Sequence, residues 1–334
     1  MIKNKTFIIA EAGVNHNGKL ELALKLCDAA KQSGADAVKF QTWKTESIIT
    51  QNVAQAEYQT QNTGKNESQF EMLKRLELSY ADFTKIKEHC DKIGILFLST
   101  ADDAESLDFL VSLGIPILKI GSGDITNIPF LRYAGSKHIP IILSTGMSTL
   151  SDVDIAYRTL KDSGASEITI LHCTTNYPCP FDTVNLKVLT VLASAFHCPI
   201  GYSDHTIGDE VAVVAVALGA TVIEKHFTLD TAMEGPDHAA STNPKDFKAM
   251  VQKIRNIEKA LGNGIKLPSQ AETKISEVVL KRIVASKIIS SGDTFTEENI
   301  TVKRSETGIP ASLWDYVIGN IAKKNFVIDE GIEL

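Results

Sequence analysis

The chain has 334 residues, of which 43% are hydrophobic, and a formal net charge of −7. This is the composition of a large globular protein, and the negative charge excludes a general attraction to nucleic acid or to an anionic membrane surface. No apolar run approaches the roughly 20 residues that a membrane-spanning helix needs. The short apolar stretch at the N-terminus runs into Glu11, unlike a signal peptide. The five cysteines include no CxxC pair, so we expect reduced thiols and a cytoplasmic location.

Short β-type runs alternate with amphipathic helical segments as far as residue 262. Eight such βα units over this length are typical of a (β/α)8 TIM barrel, whereas a doubly wound sheet normally has fewer strands and a glycine fingerprint after the first one. We therefore predict an α/β protein with a TIM-barrel catalytic domain over residues 1–264. The predicted strands are 6–13, 36–42, 95–100, 116–122, 140–146, 167–173, 199–204 and 221–227.

Two regions depart from this alternation. Residues 43–78 form a long polar excursion after the second strand, at the end of the barrel where catalytic loops lie; a surface insertion without function is the alternative. Residues 265–281 have the character of a linker with a short helix. Residues 282–334 follow as a small β-rich domain, and so small a core predicts that this domain docks on another surface.

Polar side chains occur where each predicted strand ends, and in a TIM barrel these ends converge on one catalytic face. Side chains two residues apart share one face of a strand. Lys39 and Gln41 therefore point together, as do Glu224 and His226, whereas Lys225 points the other way. We interpret Lys225 as a structural residue whose ammonium group reaches an acidic neighbour or water, and Glu224 as a supporting group of the site.

The types of these residues indicate the chemistry. Two lysines among serine and threonine hydroxyls suit a phosphate or a carboxylate. His205 and His226, on adjacent strands, would ligate one divalent ion and leave positions open for catalysis; the alternative is a pair of histidines that only form hydrogen bonds. Oxygen-rich surroundings favour Mn²⁺, with Mg²⁺ or Co²⁺ as alternatives, over structural zinc. A Schiff-base aldolase is disfavoured because Lys39 and Lys119 lie among polar residues.

Several segments in order resemble the bacterial sialic acid synthase family. They are "IIAEAGVNHNGKLELALKL", "AVKFQT", "LKIGSGDITNIPFL", "IILSTGMSTLSDV", "LHCTTNYPCPFDTVNLK", "GYSDHTIG", "VIEKHFTLD" and "GPDHAAS". The C-terminal segment "VASKIISSGDTFTEENITVKR" resembles the antifreeze-like (SAF) domain of that family. The resemblance covers nearly the whole chain.

The resemblance implies an N-acetylneuraminate synthase, which condenses phosphoenolpyruvate with N-acetylmannosamine and water and releases phosphate. It implies a domain-swapped homodimer, in which the SAF domain covers the partner's barrel and Arg304 contacts the N-acyl group of the sugar. Glu11, Lys39, Lys119 and the metal ligands His205 and His226 would be the catalytic group, with Glu11 handling the proton. Phosphoenolpyruvate would be held by Lys39, Thr100, Lys119, Ser122, Ser144 and Thr175, and the sugar by Glu11, Gln41, Asp124, Tyr177, Asp237 and Arg304.

Two departures from the family's pattern leave the identity of the sugar open. Thr175 stands where some of these synthases have an asparagine, and Ser305 and Glu306 follow Arg304 where the family usually has Pro-Gly. The segment "HCTTNYP" is at least as similar to legionaminic acid synthases, so the alternative is an N,N'-diacetyllegionaminate synthase that uses 2,4-diacetamido-2,4,6-trideoxymannose. A pseudaminic acid synthase is disfavoured because "GSGDITN" and "GPDH" fit the other branches better. A non-catalytic binding protein is disfavoured because both histidines, both lysines and Glu11 are present.

Overall fold

The computed structural model describes residues 5–55 and 67–334, and the chain divides after Gly262 into two compact units. In the described part of the first unit, eight parallel strands close into a barrel in sequential order, which confirms the predicted TIM barrel. The strands are β1 (Phe7–Gly13), β2 (Ala37–Thr42), β3 (Leu96–Ala101), β4 (Leu118–Ile120), β5 (Ile141–Ser144), β6 (Ile168–Cys173), β7 (Ile200–Asp204) and β8 (Val222–His226).

The helices begin and end at residues that the sequence marks for this role. Thr149 and Asp152, for example, form a capping box at the start of one helix, and Gly94, with φ of 73°, ends another. The α-helices in the described part of the first unit are α1 (Leu20–Gln32), α2 (Thr45–Ile48), α3 (Gln69–Leu76), α4 (Tyr80–Ile93), α5 (Ala104–Ser112), α6 (Ile128–Gly135), α7 (Leu150–Asp162), α8 (Val188–Phe196), α9 (Glu210–Ala217) and α10 (Pro244–Leu261).

The interior of the barrel changes from apolar to polar along each strand. Its apolar layer is a buried cluster separate from the large core between strands and helices. Two residues further along the same face, the strands carry charged or hydroxyl side chains, so strand alternation alone gathers them above the apolar layer. Ile9, Ala37, Leu98, Ile142 and Val222 belong to the apolar layer, and Glu11, Lys39, Thr100, Ser144 and Glu224 follow them.

The polar excursion predicted at 43–78 is partly described. Trp43, Met72 and Leu76 form a small buried cluster with Val14 from the loop after β1. The described ends of the excursion are therefore anchored at the carboxyl end of the barrel. Residues 56–66 lie outside the described residues.

The second unit has its own small core around an antiparallel pair, β9 (Lys281–Ala285) and β10 (Ile300–Arg304). Phe295, Val317 and Phe326 are among its buried residues. Helix α11 (Gln270–Val279) lies where the linker is predicted, and none of its residues, all of them described, is buried. A short helix α12 (Trp314–Val317) completes the unit. Among the described residues, none of the helices has the length and hydrophobicity that crossing a bilayer requires.

Candidate active site

Glu11 and Lys39 form the first part of the site, where β1 and β2 end. The two residues are register partners, and Lys39 Nζ lies 2.7 Å from Glu11 Oε2. Lys39 also donates a hydrogen bond to Thr100 Oγ1 at 2.9 Å, and Gln41 Nε2 donates to Glu11 Oε1 at 3.2 Å. Lys39 and Gln41 thus share one face, as the alternation predicts.

Glu224 lies between the two lysines of the site. Its carboxylate is 3.2 Å from Lys119 Nζ and 3.9 Å from Lys39 Nζ, and it accepts a hydrogen bond from Ser203 Oγ at 2.9 Å. Lys119 in turn donates to Ser144 Oγ at 2.7 Å. The two lysines therefore share a buried counterion.

The two carboxyl groups ionise at very different pH values. Burial raises the pKa of Glu11 to about 7, although Lys39 opposes the rise. Burial also acts to raise the pKa of Glu224, but Lys119 and Lys39 outweigh it and lower that pKa to about 2. The pKa of Lys39 is raised because Glu11 and Glu224 outweigh its burial. Glu224 is thus a permanent anion near neutral pH, whereas Glu11 exchanges a proton there.

The rings of His205 and His226 lie nearly perpendicular to each other, with their centroids 5.3 Å apart. Thr174 O lies 2.7 Å from His205 Nδ1; a hydrogen bond from Nδ1–H to this carbonyl leaves the lone pair of Nε2 for a metal, as is common for metal-binding histidines. Burial, and next the proximity of His205, hold the pKa of His226 well below its usual value, so this ring is neutral as a ligand must be. The ring centroid of Tyr177 lies 4.2 Å from that of His205.

The donor set suits a divalent ion with open positions. Asp237 Oδ2 lies 3.8 Å from His226 Nδ1, and burial raises the pKa of Asp237 to about 6. Within residues 5–55 and 67–334, no group of three or more His, Cys, Asp or Glu side chains forms a ready-made metal cluster. A metal at this pair would therefore draw its other ligands from water or substrate.

Ser122 and Thr175 approach each other over Gly146. The backbone N–H of Gly146 donates to Ser122 Oγ at 2.9 Å. A Cβ atom on Gly146 would collide with Thr175 Oγ1 and would lie 2.8 Å from Ser122 Oγ, so only glycine allows this approach. Thr175 thus lies beside Ser122, at the edge of the site.

Cys173 is a further neighbour of the site. Its sulfur lies 3.8 Å from both Ser122 Oγ and His205 Nδ1. Burial acts to raise the pKa of this thiol, but the contact with His205 outweighs it and the pKa is lowered. Strand alternation indicates that Cys173 points into the barrel, since Leu171, two residues earlier, lies in its apolar layer.

Asp124 and Asp102 bring further carboxyl groups to the ends of β4 and β3. Asn127 Nδ2 donates to Asp124 Oδ1 at 2.9 Å, and burial raises the pKa of Asp124. Asp102, half-buried directly after β3, has its pKa raised to about 7 by burial and next by Asp124. Asp102 was missed, although its position after a strand end was a usable signal.

Lys225 takes no part in this group of side chains. Lys225 is buried and donates to Asp204 Oδ2 at 2.7 Å and to Thr206 O at 2.8 Å, which confirms that its ammonium group reaches an acidic neighbour. Arg304 is exposed at the end of β10 in the second unit. Its contact with the sugar stays a prediction.

The fold and the site define a class of protein: a TIM-barrel enzyme with two buried lysines and a pair of histidines at the carboxyl ends of its strands. Residues 26–266 match the NeuB family, and residues 282–333 match the SAF domain. The chain belongs to the NeuB family, as the resemblance predicts, and is a phosphoenolpyruvate-condensing nonulosonic acid synthase.

Three similar proteins illustrate the relationship. The chain is 49% identical to the N,N'-diacetyllegionaminic acid synthase of Campylobacter jejuni, over 98% of each chain. It is 47% identical to the protein of the same name from Legionella pneumophila, over 96% of this chain and 91% of that one. The crystal structure of N-acetylneuraminic acid synthetase from Leptospira borgpetersenii superposes with a TM-score of 0.72 at 36% identity, over 82% of this chain and 90% of that one.

Proposed function

We propose that the protein condenses phosphoenolpyruvate with 2,4-diacetamido-2,4,6-trideoxymannose and water, giving N,N'-diacetyllegionaminate and phosphate. The observation that carries this proposal is the identity of 49% and 47% to two N,N'-diacetyllegionaminic acid synthases, against 36% to the sialic acid synthetase. The comparisons thus favour the alternative of the sequence analysis over N-acetylmannosamine. N-acetylmannosamine remains the second candidate, because the sialic acid synthases are also related.

In this proposal the lysines bind phosphoenolpyruvate, which carries about three negative charges near neutral pH. Lys39 and Lys119 offer two fixed cations, and Thr100 and Ser144 are already hydrogen-bonded to them. Ser122 and Thr175 add hydroxyls at the edge of the site. Because the two lysines, Thr100 and Ser144 are buried and held in place by hydrogen bonds, they stabilise both the bound substrate and the phosphate as it leaves.

Glu11 moves the proton. The methylene carbon of phosphoenolpyruvate attacks the aldehyde carbon of the sugar, water adds at the carbon that bears the phosphate, and phosphate departs. A carboxyl group with a pKa of about 7 can accept the proton of that water and return it to an oxygen of the reacting groups. Gln41, Asp124, Tyr177 and Asp237 would orient the sugar; Gln41 contacts Glu11, and Tyr177 and Asp237 lie beside the histidines.

His205 and His226 would hold a divalent ion, with Mn²⁺ as the first candidate and Mg²⁺ or Co²⁺ as alternatives. When bound, the ion polarises the aldehyde oxygen of the sugar. The two histidines, one held by the Thr174 carbonyl and one kept neutral by burial, support this assignment.

We also propose a domain-swapped homodimer in the cytoplasm. Helix α11 exposes Ile275 and Val278, which are 57% and 70% exposed, and these apolar side chains suit burial against a second chain. Arg304 is exposed and so able to meet the site of a partner. None of the five cysteines forms a disulfide, in keeping with a reducing compartment.

Subunit mixing tests the swap. His226→Ala damages the barrel site and Arg304→Ala damages the SAF contribution, so each homodimer loses most of its turnover. A mixed dimer contains one site with an intact barrel and an intact partner Arg304, and we expect about half of the activity of one wild-type dimer. Mixtures that stay as inactive as the separate variants after subunit exchange would contradict the swap.

Competition between the two sugars tests the choice of substrate. An equal mixture of the 2,4-diacetamido sugar and N-acetylmannosamine is supplied with phosphoenolpyruvate, and the products are quantified by mass spectrometry. The ratio of initial rates equals the ratio of the two kcat/KM values. We expect the legionaminate product to dominate; an excess of N-acetylneuraminate would instead support the second candidate.

A further inference from the structure

The loop between β8 and α10 carries Asp237 and is closed at its base by backbone hydrogen bonds. Thr228 N donates to Thr242 O at 3.1 Å, and Thr242 N donates to His226 O at 2.8 Å. These bonds fix the two ends of the loop but not its middle. Other contacts must therefore hold Asp237 beside His226. Asp237 Oδ2 lies 3.8 Å from His226 Nδ1.

Asn15, in the turn after β1, forms hydrogen bonds with both ends of this loop. Its side chain is 1% exposed, and Nδ2 donates to Phe227 O and to Ser241 Oγ, each at 2.9 Å. Ser241 Oγ then donates to Asp237 O at 2.6 Å. A continuous chain of hydrogen bonds thus leads from the turn after β1 to the backbone of Asp237.

The direction of these hydrogen bonds requires an amide at position 15. Both protons of Nδ2 are used, so the Ser241 hydroxyl accepts from Asn15 and keeps its own proton for Asp237 O. An aspartate at this position would have the same shape but no donor. The Ser241 hydroxyl would then turn to donate to the carboxylate and would release Asp237 O, while the carboxylate would face the Phe227 carbonyl.

From this arrangement we propose that Asn15 is a positioning residue for the sugar substrate and acts through Ser241 on Asp237. The proposal rests on the proposed function, in which Asp237 contacts the sugar. Lys39 and Lys119 take no part in the chain of hydrogen bonds, so binding of phosphoenolpyruvate does not depend on it.

The loop has a second tether that provides a matched control. Asn17 Nδ2 donates to Glu234 O at 2.9 Å, in the same loop but outside the branch through Ser241. Thr228 Oγ1 and His238 Nδ1 lie 2.6 Å apart and add a third link. Because these tethers remain, we expect the loop to stay folded when Asn15 is changed, with only its path near Asp237 altered.

The experiment compares Asn15→Asp, Ser241→Ala, Ser241→Thr and the control Asn17→Asp. Asn15→Asp and Ser241→Ala should each raise the KM for the sugar about tenfold, as expected for the loss of one buried hydrogen bond. The KM for phosphoenolpyruvate should change less than about twofold, since the lysines are untouched. Ser241→Thr keeps the hydroxyl and should rescue the sugar KM, and Asn17→Asp should leave it near the wild-type value. The double variant Asn15→Asp/Ser241→Ala should be no worse than either single variant, because both changes break the same chain.

Hydrogen exchange of the segment 229–241, measured without substrate, gives a readout that does not depend on activity. Asn15→Asp and Ser241→Ala should increase exchange around Asp237, and Ser241→Thr should not. Equal rises of both KM values, a sugar KM in Asn17→Asp as high as in Asn15→Asp, or unchanged exchange in Asn15→Asp would overturn the proposal. Wild-type protein that turns over neither sugar would instead refute the proposed function, and the exchange data would still decide the role of Asn15.

Discussion

Replacement of Glu224 by glutamine tests the shared counterion of the two lysines. The substitution keeps the shape of the side chain and a hydrogen-bond acceptor for Ser203, but it removes the negative charge beside Lys119 and Lys39. Lys39 retains Glu11 at 2.7 Å, whereas Lys119 loses the carboxylate at 3.2 Å. We therefore expect Glu224→Gln to destabilise the substrate-free protein.

The pKa of Glu224 sets the size of this effect. A fall from 4.5 to about 2 corresponds to about 3 kcal/mol of folding free energy, at about 1.4 kcal/mol per pH unit. Because the folded-state pKa is depressed, this contribution is complete above pH 4.5 and is lost as the pH falls toward 2. At pH 7.5 the variant should therefore lose all of it, a fall in Tm on the order of 10 °C for a domain of this size.

Phosphoenolpyruvate should restore much of that stability. In the wild-type protein Glu224 competes with the substrate for the lysines, so Glu224→Gln should bind phosphoenolpyruvate more tightly and gain more in Tm at saturating substrate. Calorimetry gives the Kd and differential scanning fluorimetry gives the Tm.

Glu258→Gln is the matched control for this prediction, since Glu258 accepts from Thr6 N and Arg255 at the opposite end of the barrel. It should lower the Tm without changing the Kd of phosphoenolpyruvate. A Glu224→Gln protein with a Tm within about 2 °C of the wild type and an unchanged Kd would refute the reasoning.

Two further variants separate structural from catalytic charges. Lys225→Met leaves the buried carboxylate of Asp204 without its cation and should lower the free energy of unfolding in urea by about 3–5 kcal/mol. At low temperature, kcat should stay within about threefold of the wild-type value. A large fall in kcat at unchanged stability would contradict a structural role for Lys225. Burial raises the folded-state pKa of Glu11 from 4.5 to about 7, so its contribution to stability is complete below pH 4.5 and declines as the pH rises through 7. Between pH 4.5 and about 7, the metal-free Glu11→Gln protein should therefore lose less stability than the metal-free wild type. The same pH dependence of stability in both proteins would argue against a raised pKa of Glu11.

Strand alternation was sufficient to predict that polar side chains gather at the carboxyl end of the barrel. Glu11, Lys39 and Glu224 each stand two residues beyond an interior apolar residue, so a closed barrel brings them together whatever the details of packing. Several strand boundaries differ by one or two residues; β4, for example, ends at Ile120, before the end of the predicted strand 116–122, because Ser122 already begins a 3-10 turn. Ser122 still reaches Gly146 from that turn.

The parts that the sequence did not predict depend on contacts between distant segments. Asn15 and Ser241 are 226 residues apart in sequence, and no local pattern links an asparagine in one turn to a serine in another. Cys173 touches His205 only because β6 and β7 are neighbours in the barrel. The raised pKa of Asp102 likewise requires both burial and the approach of Asp124, which only the folded chain provides.

The most direct test of the proposed catalysis measures phosphate release by protein that has been stripped with EDTA and restored with Mn²⁺. Phosphoenolpyruvate and 2,4-diacetamido-2,4,6-trideoxymannose should give phosphate and the nine-carbon keto acid in equal amounts, with no release before metal is added or without the sugar. An absence of phosphate release with this sugar and with N-acetylmannosamine, by folded and metal-loaded protein, would contradict the account.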